Sequence, residues 1–401
     1  MESLCSTLKK ADADWIRQLR RHIHQYPELS GKEEQTAGLV KDTLHRIGVK
    51  DIQSGIAGHG IVARLGENMD GPVVALRADM DALPIQEETG ISFASRHDGV
   101  MHACGHDAHT AMLLGAAKIL KEMEDRIQGC ILFIFQPAEE NSPIGGAQPM
   151  MEAGALDDPQ PDAVFGLHVW PQLPVGQIGI KPGFQMGASD RFEIRVQGQG
   201  GHASMPHETI DATMTAVQIS QVLQTIVSRN VNPLETAVLS ISSIQAGTTH
   251  NVIPDQASLM GTVRTVQPEI RELMEKRIRQ VAKHVAHSMG AQVHVDYHRG
   301  YPVLNNDLAM VEVVRKTVRE QWSEQALPEI RPALTAEDFA AYLEKFPGAF
   351  FWLGCGFTDP EHNFPLHHPR FLVDERILPL GAELLSTLAL RYLAEKRGEV
   401  Q

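Results

Sequence analysis

The chain has 401 residues, 43% of them hydrophobic, and a formal net charge of −14. That length suits two to three domains, or one large domain carrying an insertion. The acidic balance argues against a nucleic-acid partner, because phosphate binding needs clustered Lys and Arg and no basic run occurs.

Nothing in the first thirty residues resembles a secretory signal, and no apolar stretch approaches the ~18 residues of a membrane span. The four cysteines (Cys5, Cys104, Cys130, Cys355) are scattered. The expectation is a cytoplasmic protein with reduced thiols and no membrane partner. Cys130 and Cys355 sit in apolar runs and read as core fillers.

In chain order, an amphipathic helix is expected over 12–25, stopped by Pro27, and a second over 31–47, stopped by Gly48. Apolar strands follow at 60–66, 72–79, 130–136 and 162–169, with a long helix at 107–124 between the second and third. Strands apolar on both faces and joined by helices point to a doubly covered α/β sheet. After Pro182 the texture changes. A half-exposed alternating strand, "DRFEIRVQGQG", precedes a helix over 210–228, strands over 236–247 and 256–265, a helix over 268–288 and a strand over 291–298. The order β-α-β-β-α-β is the ferredoxin-like unit. We therefore expect a catalytic domain of residues 1–184 and 299–401, and an inserted domain of residues 185–298 whose edge strands can pair with a second copy. A helix from about 305, a strand over 348–356 and a helix over 377–396 resume the first texture.

Polar residues gather at the strand ends. Asp79 and Asp81 follow one strand, Glu139 and Glu140 another, and His168 a third; the last strand leads to a loop with His367 and His368. Ligands of open α/β sheets bind at that carboxyl edge, and the turn "HACGHDAHT" can reach it. Thiolate, imidazole and carboxylate donors from Cys104, His106, Glu140, His168 and His367 suit Zn²⁺ or a similar first-row ion. Five ligands exceed the three usual for one catalytic zinc, and a bridging thiolate with two metals accounts for the surplus. Glu139, beside a ligand but not itself one, is then the general base. With 19 histidines in the chain, His102 and His109 read as structural, and Asp107 as an N-cap or first-turn acid.

The segments "RADMDALP", "HACGHDAHT", "QPAEE", "GLHVWP", "GQGGHAS", "HNVIP" and "LHHPRF" together resemble the M20 metallopeptidase family. Within it, the chain is similar to the amidohydrolase branch of N-acyl-amino-acid amidohydrolases, hippurate hydrolases and auxin-conjugate hydrolases. The resemblance implies a zinc-peptidase-like α/β catalytic domain with a mixed, mainly parallel sheet, plus a ferredoxin-like lid and dimerisation domain. It also implies two divalent ions per chain, Mn²⁺ or Zn²⁺, with Co²⁺ and Ni²⁺ compatible. Cys104 bridges them; His106, Glu140, His168 and His367 complete the ligands, with His368 as the alternative to His367. Glu139 matches the catalytic glutamate and Asp81 the aspartate that orients a metal-binding histidine. Where many M20 peptidases have a histidine, this chain has Asp79. His202, Asn251 and Arg264 match substrate-contacting residues of the inserted domain, and the histidine of relatives can reach a partner's site. The implied function is hydrolysis of small-molecule N-acyl amino acids by a homodimer or higher homo-oligomer. The alternatives are a di- or carboxypeptidase of the same fold and a non-catalytic metal-binding homologue.

Overall fold

The computed structural model describes residues 10–66 and 71–400; Cys5 lies outside the described residues. In chain order, the first elements are α1 (Lys10–Gln25), α2 (Glu34–Arg46), β1 (Asp51–Ile56), β2 (Gly60–Leu65), β3 (Val73–Asp79), α3 (His106–Glu122), β4 (Cys130–Gln136), β5 (Ala163–Pro174) and β6 (Ile178–Gly179). Then come β7 (Ala188–Gln197), α4 (Ala212–Leu223), β8 (Ala237–Ala246), β9 (Gln256–Thr265), α5 (Pro268–Ser288) and β10 (Gln292–Arg299). The last are α6 (Leu308–Gln321), β11 (Gly348–Gly356) and α7 (Ile377–Val400).

The chain forms two compact units. The first comprises residues Met1–Gln185, Asn305–Arg331 and Asp338–Gln401, and the second Met186–Leu304 with Pro332–Glu337. No sequence signal marks the short return of 332–337 to the second unit.

The sheet of the first unit has the order β1-β2-β4-β3-β5-β11-β6. Its centre is parallel (β4 with β3, β3 with β5, β5 with β11), whereas β1, β2 and β6 join antiparallel. The parallel character expected from the sequence is thus confined to the strands that carry the polar ends. All residues of β3, β4 and β11 are buried, as strands covered on both faces must be. The polar, mostly exposed β1 pairs only with β2 at the sheet edge, so no apolar run announced it. Register then fixes the site: Asp79 pairs with Gln136, and Arg77 with Gly166, which sets Asp79 level with His168.

Helix α3 is buried at every position from His106 to Ala117. It meets α7 so closely that a Cβ on Gly381 would lie 2.0 Å from Met112 Sδ. By length and composition, α7 is apolar enough to cross a membrane, with mean hydropathy 1.3 over Ile377–Gly398. This corrects the expectation that no stretch approaches a span. The helix scores as apolar because it is a core helix: 72% of that window is buried inside the protein, and Leu384, Leu385, Leu388 and Leu393 pack in the same core as α3.

In the second unit the sheet order is β8-β9-β7-β10, antiparallel throughout, the arrangement of a ferredoxin-like unit. Phe192, Ile194 and Val196 alternate inward from β7 and pack on Ile219 and Leu223 of α4 and on Met274 and Ile278 of α5. The helix expected over 210–228 is broken at Gln224 into α4 and a short turn, Thr225–Asn230. Asp190, 2% exposed, pins the unit's polar side. It accepts from Arg271 Nε at 3.0 Å, Tyr297 Oη at 2.8 Å and the Gly300 N–H at 3.1 Å.

Gly261 is required by packing rather than by backbone angles. A Cβ there would lie 2.3 Å from Phe192 Cζ and 2.4 Å from the Ser240 carbonyl. We expect Gly261→Ala to lower unfolding stability by about 1–3 kcal/mol, measured by urea denaturation. Phe192→Leu should recover part of the loss in the double variant, because it removes one of the two clashes.

Candidate metal centre and its supports

The carboxyl ends of β3 and β4, the middle of β5 and the amino end of α3 bring their polar residues to one cluster. Gly105 makes the junction. It has φ +88 and is the residue just before α3, and a Cβ on it would lie 2.4 Å from Val169 Cγ2. Only glycine fits both the left-handed backbone and the contact, so Cys104 and His106 are delivered on either side of it against the middle of β5; His168, expected at a strand end, lies midway along a strand that runs on to Pro174.

There, Cys104 Sγ lies 3.4 Å from His168 Nε2 and 3.3 Å from His367 Nε2. Glu140 Oε1 is 3.1 Å from His367 Nε2. Two triads of ligand atoms therefore share the thiol: Cys104 with His106 and His168, and Cys104 with Glu140 and His367. Glu139, 6% exposed, groups with His106 and Glu140. All five expected ligands and the expected base are in this one cluster. Of the two adjacent histidines, His367 is the one brought in, on a left-handed backbone with φ 64. His368 instead stacks on Phe364 at 4.6 Å, and its Nδ1 accepts the Arg370 N–H.

Neighbouring groups fix the histidine tautomers. His106 Nδ1 donates to Asp81 Oδ1 at 3.2 Å, and its buried Nε2 makes no hydrogen bond, with Asp79 Oδ2 3.7 Å away. His168 Nδ1 donates to the Val169 carbonyl at 2.7 Å, leaving Nε2 turned to Cys104. These are the nitrogens a metal would take, displacing any proton they carry. The cluster's field points the same way. Burial disfavours a cation on His106, yet Asp79, Asp81 and Glu140 outweigh it and push its pKa up to about 10. Burial, then Glu140, Glu139 and Asp79, hold the Cys104 thiol well above its usual range. A cluster this negative, with an imidazole nitrogen free of hydrogen bonds and a shared thiol, fits divalent cations and thiolate ligation.

Around the cluster lie buried charges that sequence reasoning passed over. Asp79 accepts from Arg77 Nη1 at 2.7 Å and from His109 Nδ1 at 2.6 Å, while His109 Nε2 accepts the Val169 N–H at 2.9 Å. His109 is thus a strut between β3 and β5, the structural role expected of it. Arg77 also bonds Gln136 and Asp338, and Asp338 in turn accepts the Gly146 and Ala147 N–H groups. An arginine inside the apolar run "VVALRAD" was the available signal, since a buried charge needs a partner. On the far side, Asp107 lies in the first turn of α3, which Gly105 rather than Asp107 caps. Its Oδ2 accepts from Arg20 Nε at 2.7 Å and His24 Nδ1 at 2.8 Å, all three groups being buried. His102 is fully buried with neither ring nitrogen partnered, and burial lowers its pKa to about 4. The ring is neutral, as a structural histidine should be.

In the second unit, His202 and Asn251 come together on a short ribbon, where Val252 pairs with His202 and the Ala203 N–H reaches the Asn251 carbonyl at 3.1 Å. His202 Nδ1 accepts the Ser204 N–H at 3.1 Å, so its exposed Nε2 carries the proton. Arg264 is not with them. It lies eight residues from Gln256 along β9, ~26 Å at the usual strand rise, while Gln256 and Gln197 form the end nearer the ribbon. Within one copy of this unit, the three residues expected to contact substrate occupy opposite ends of a sheet.

A model of Peptidase family M20/M25/M40 matches residues 75–391. N-acetyl-L-cysteine deacetylase of Bacillus subtilis (strain 168) is 44% identical over 375 residues, covering 94% of this chain and 87% of its own. Thermostable carboxypeptidase 1 of Saccharolobus solfataricus is 41% identical over 381 residues, covering 94% and 95%. The crystal structure of a Bacillus subtilis protein, described as a dinuclear metal binding peptidase from the M20 family, matches with a TM-score of 0.83 at 38% identity, over 96% of this chain and 99% of that one.

The Arg20–Asp107 pair ties α1 to the first turn of α3 and can be tested alone. Arg20 and His24 outweigh burial and hold the Asp107 carboxyl far below the usual carboxylate range. Its stabilisation is therefore complete above the unfolded-state value and is lost only as pH falls through the much lower folded one. Asp107→Asn should cost about 3–5 kcal/mol at neutral pH, as expected when a buried cation loses its closest partner, Glu375 standing farther off at 3.5 Å. Denaturant midpoints of the two proteins should stay apart on acidification to about pH 4.

Proposed function

The chain belongs to peptidase family M20/M25/M40 and is a metal-dependent hydrolase of linear amides, and from that premise we propose that it cleaves N-acyl amino acids to a carboxylate and a free amino acid. The observation carrying this reading is the thiol of Cys104 shared by two ligand triads, with Glu139 buried beside them. Two divalent ions, Mn²⁺ or Zn²⁺, would be held by Cys104, the ligand common to both triads, and by His106, Glu140, His168 and His367. Bound there, such ions would supply Lewis acidity towards the scissile carbonyl and the attacking water.

The remaining work falls to the protein. Glu139 takes a proton from the water and delivers it to the departing amine nitrogen. Asp81 holds the His106 ring by its Nδ1–H, keeping the other nitrogen available. His202, with its Nε2–H free, donates to the tetrahedral oxyanion. Asn251 and Arg264 hold the substrate, the guanidinium suiting its carboxylate.

A homodimer through the second unit accommodates the separation of His202 from Arg264, since each site can then draw them from different copies. Support comes from the outer edge of β8. Its sequence, "AVLSISSIQA", has no charge and no proline over ten residues, and one bulge between Ile241 and Ser243 is its only irregularity. The opposite edge, β10, carries Asp296 and Arg299. Edge strands are normally defended by charges, so β8 reads as the pairing edge. The unpaired Cys104, Cys130 and Cys355 suit a reducing, cytoplasmic setting.

The carboxypeptidase relative favours a second reading, cleavage of short peptides by the same machinery. Turnover of N-acetyl-Met and hippurate against Met-Ala and Gly-Leu separates the two, and no turnover of either set would leave a metal-binding homologue. Glu139→Gln should lower kcat by about 10²–10⁴ with metal content retained, whereas Cys104→Ala should lose metal. Wild-type activity in Glu139→Gln would remove the base assignment.

If His202 serves the partner's site, His202→Ala and Glu139→Gln are each nearly inactive. Their isolated heterodimer should then regain about half of the wild-type activity, because one of its two sites is intact. A heterodimer as inactive as its parents would place His202 in its own chain's chemistry or in none.

A further inference from the structure

Glu33 stands at the N-cap position of α2, yet its side chain caps nothing on that helix. Glutamate is not a favoured N-cap residue. The capping falls to Glu28, whose carboxylate accepts the Gln35 N–H at 3.1 Å and the Thr36 N–H at 2.8 Å. Glu33 is instead fully buried at 0% exposure. Its Oε1 accepts two backbone N–H groups, of Gly31 at 2.8 Å and of Ala138 at 2.8 Å.

Ala138 is the residue before Glu139, and its φ of 58 is left-handed, a conformation that costs a residue with a Cβ about 1–3 kcal/mol and persists only where its surroundings enforce it. On the other side of Glu139, the Glu140 N–H donates to Asp81 Oδ2 at 2.9 Å, and the same oxygen accepts from Ser30 Oγ at 2.6 Å. The segment "PELSGKE" thus braces the amides on both sides of Glu139, one directly through Glu33 and the other through Asp81.

We propose that Glu33 is a positioning residue for the reaction: its carboxyl oxygen holds Ala138 in the left-handed turn that sets Glu139 beside His106 and Glu140. This rests on Glu139 being the proton acceptor. Burial, aided by Asp81, raises the Glu33 pKa, and its second oxygen has no hydrogen-bond partner. The contact therefore needs an acceptor at the right reach rather than a negative charge.

That distinction sets the test, made on the metal-loaded enzyme. Glu33→Gln keeps the reach and a carbonyl oxygen, and should keep the wild-type kcat. Glu33→Asp keeps the charge and is a better N-cap, but is one methylene too short for Ala138. It should lose about 10²-fold in kcat, the scale of a misplaced catalytic group, with KM little changed. Hydrogen exchange at the Ala138 amide, followed by mass spectrometry, should speed up about tenfold in Glu33→Asp through loss of one bond, and not in Glu33→Gln. If Glu33→Asp does not fold, Glu33→Ser, another favoured N-cap that cannot reach, makes the same comparison. Glu139→Gln is measured alongside. An active Glu33→Asp beside an inactive Glu139→Gln overturns the positioning role and leaves the base assignment standing. Equal loss in Glu33→Gln and Glu33→Asp overturns it too, because a carbonyl oxygen at full reach would then not suffice. An active Glu139→Gln overturns the base assignment itself, and the positioning role with it.

Discussion

Gly105 sits where any Cβ would lie 2.4 Å from Val169 Cγ2, and that contact sets how near α3 can begin to β5. Both neighbours of Gly105 are ligand-type residues, so the approach of one backbone to another decides whether the thiol and the imidazole meet His168. The parallel register does the rest by holding Asp79 and His168 at one level. Once helix and sheet are locked in this way, Glu140 and His367 need only complete a cluster whose centre already exists.

Such a centre is costly to build, because it concentrates carboxylates in a place that excludes water. The protein offsets this with cations and donors on every side: Arg77 and His109 at Asp79, Arg20 and His24 at Asp107, and Ser30 with a backbone N–H at Asp81. Several of these partners come from α1 and the segment after it, far from the strands in sequence. The amino-terminal region is therefore part of the site's scaffold and not a mere cover.

Much of this was legible before any coordinates. Full burial of β3, β4 and β11 shows as unbroken apolar runs, and donors at strand ends gather at the carboxyl edge by topology alone. What was not legible has physical reasons. The β1 strand is polar because it is an edge, and so resembles a loop. Asp107 looks like an ordinary first-turn acid because nothing local reveals that Arg20, 87 residues away, is its partner. Glu33 looks like a solvent-facing residue at a helix start, and only the fold brings Ala138 to it. The separation of Arg264 from His202 follows from strand register, which alternation patterns do not carry.

The first unit is assembled from three stretches of chain, and its last stretch supplies both β11 in the middle of the sheet and α7 against α3. During synthesis the four-stranded sheet and main helices of the second unit are made by residue 299, although its segment 332–337 follows later, and by then the first unit still lacks a central strand. Until α7 arrives, the face of α3 around Met112 lacks the helix that covers it. A discontinuous unit thus closes only when distant stretches of chain meet, and until then its central strands are exposed to aggregation.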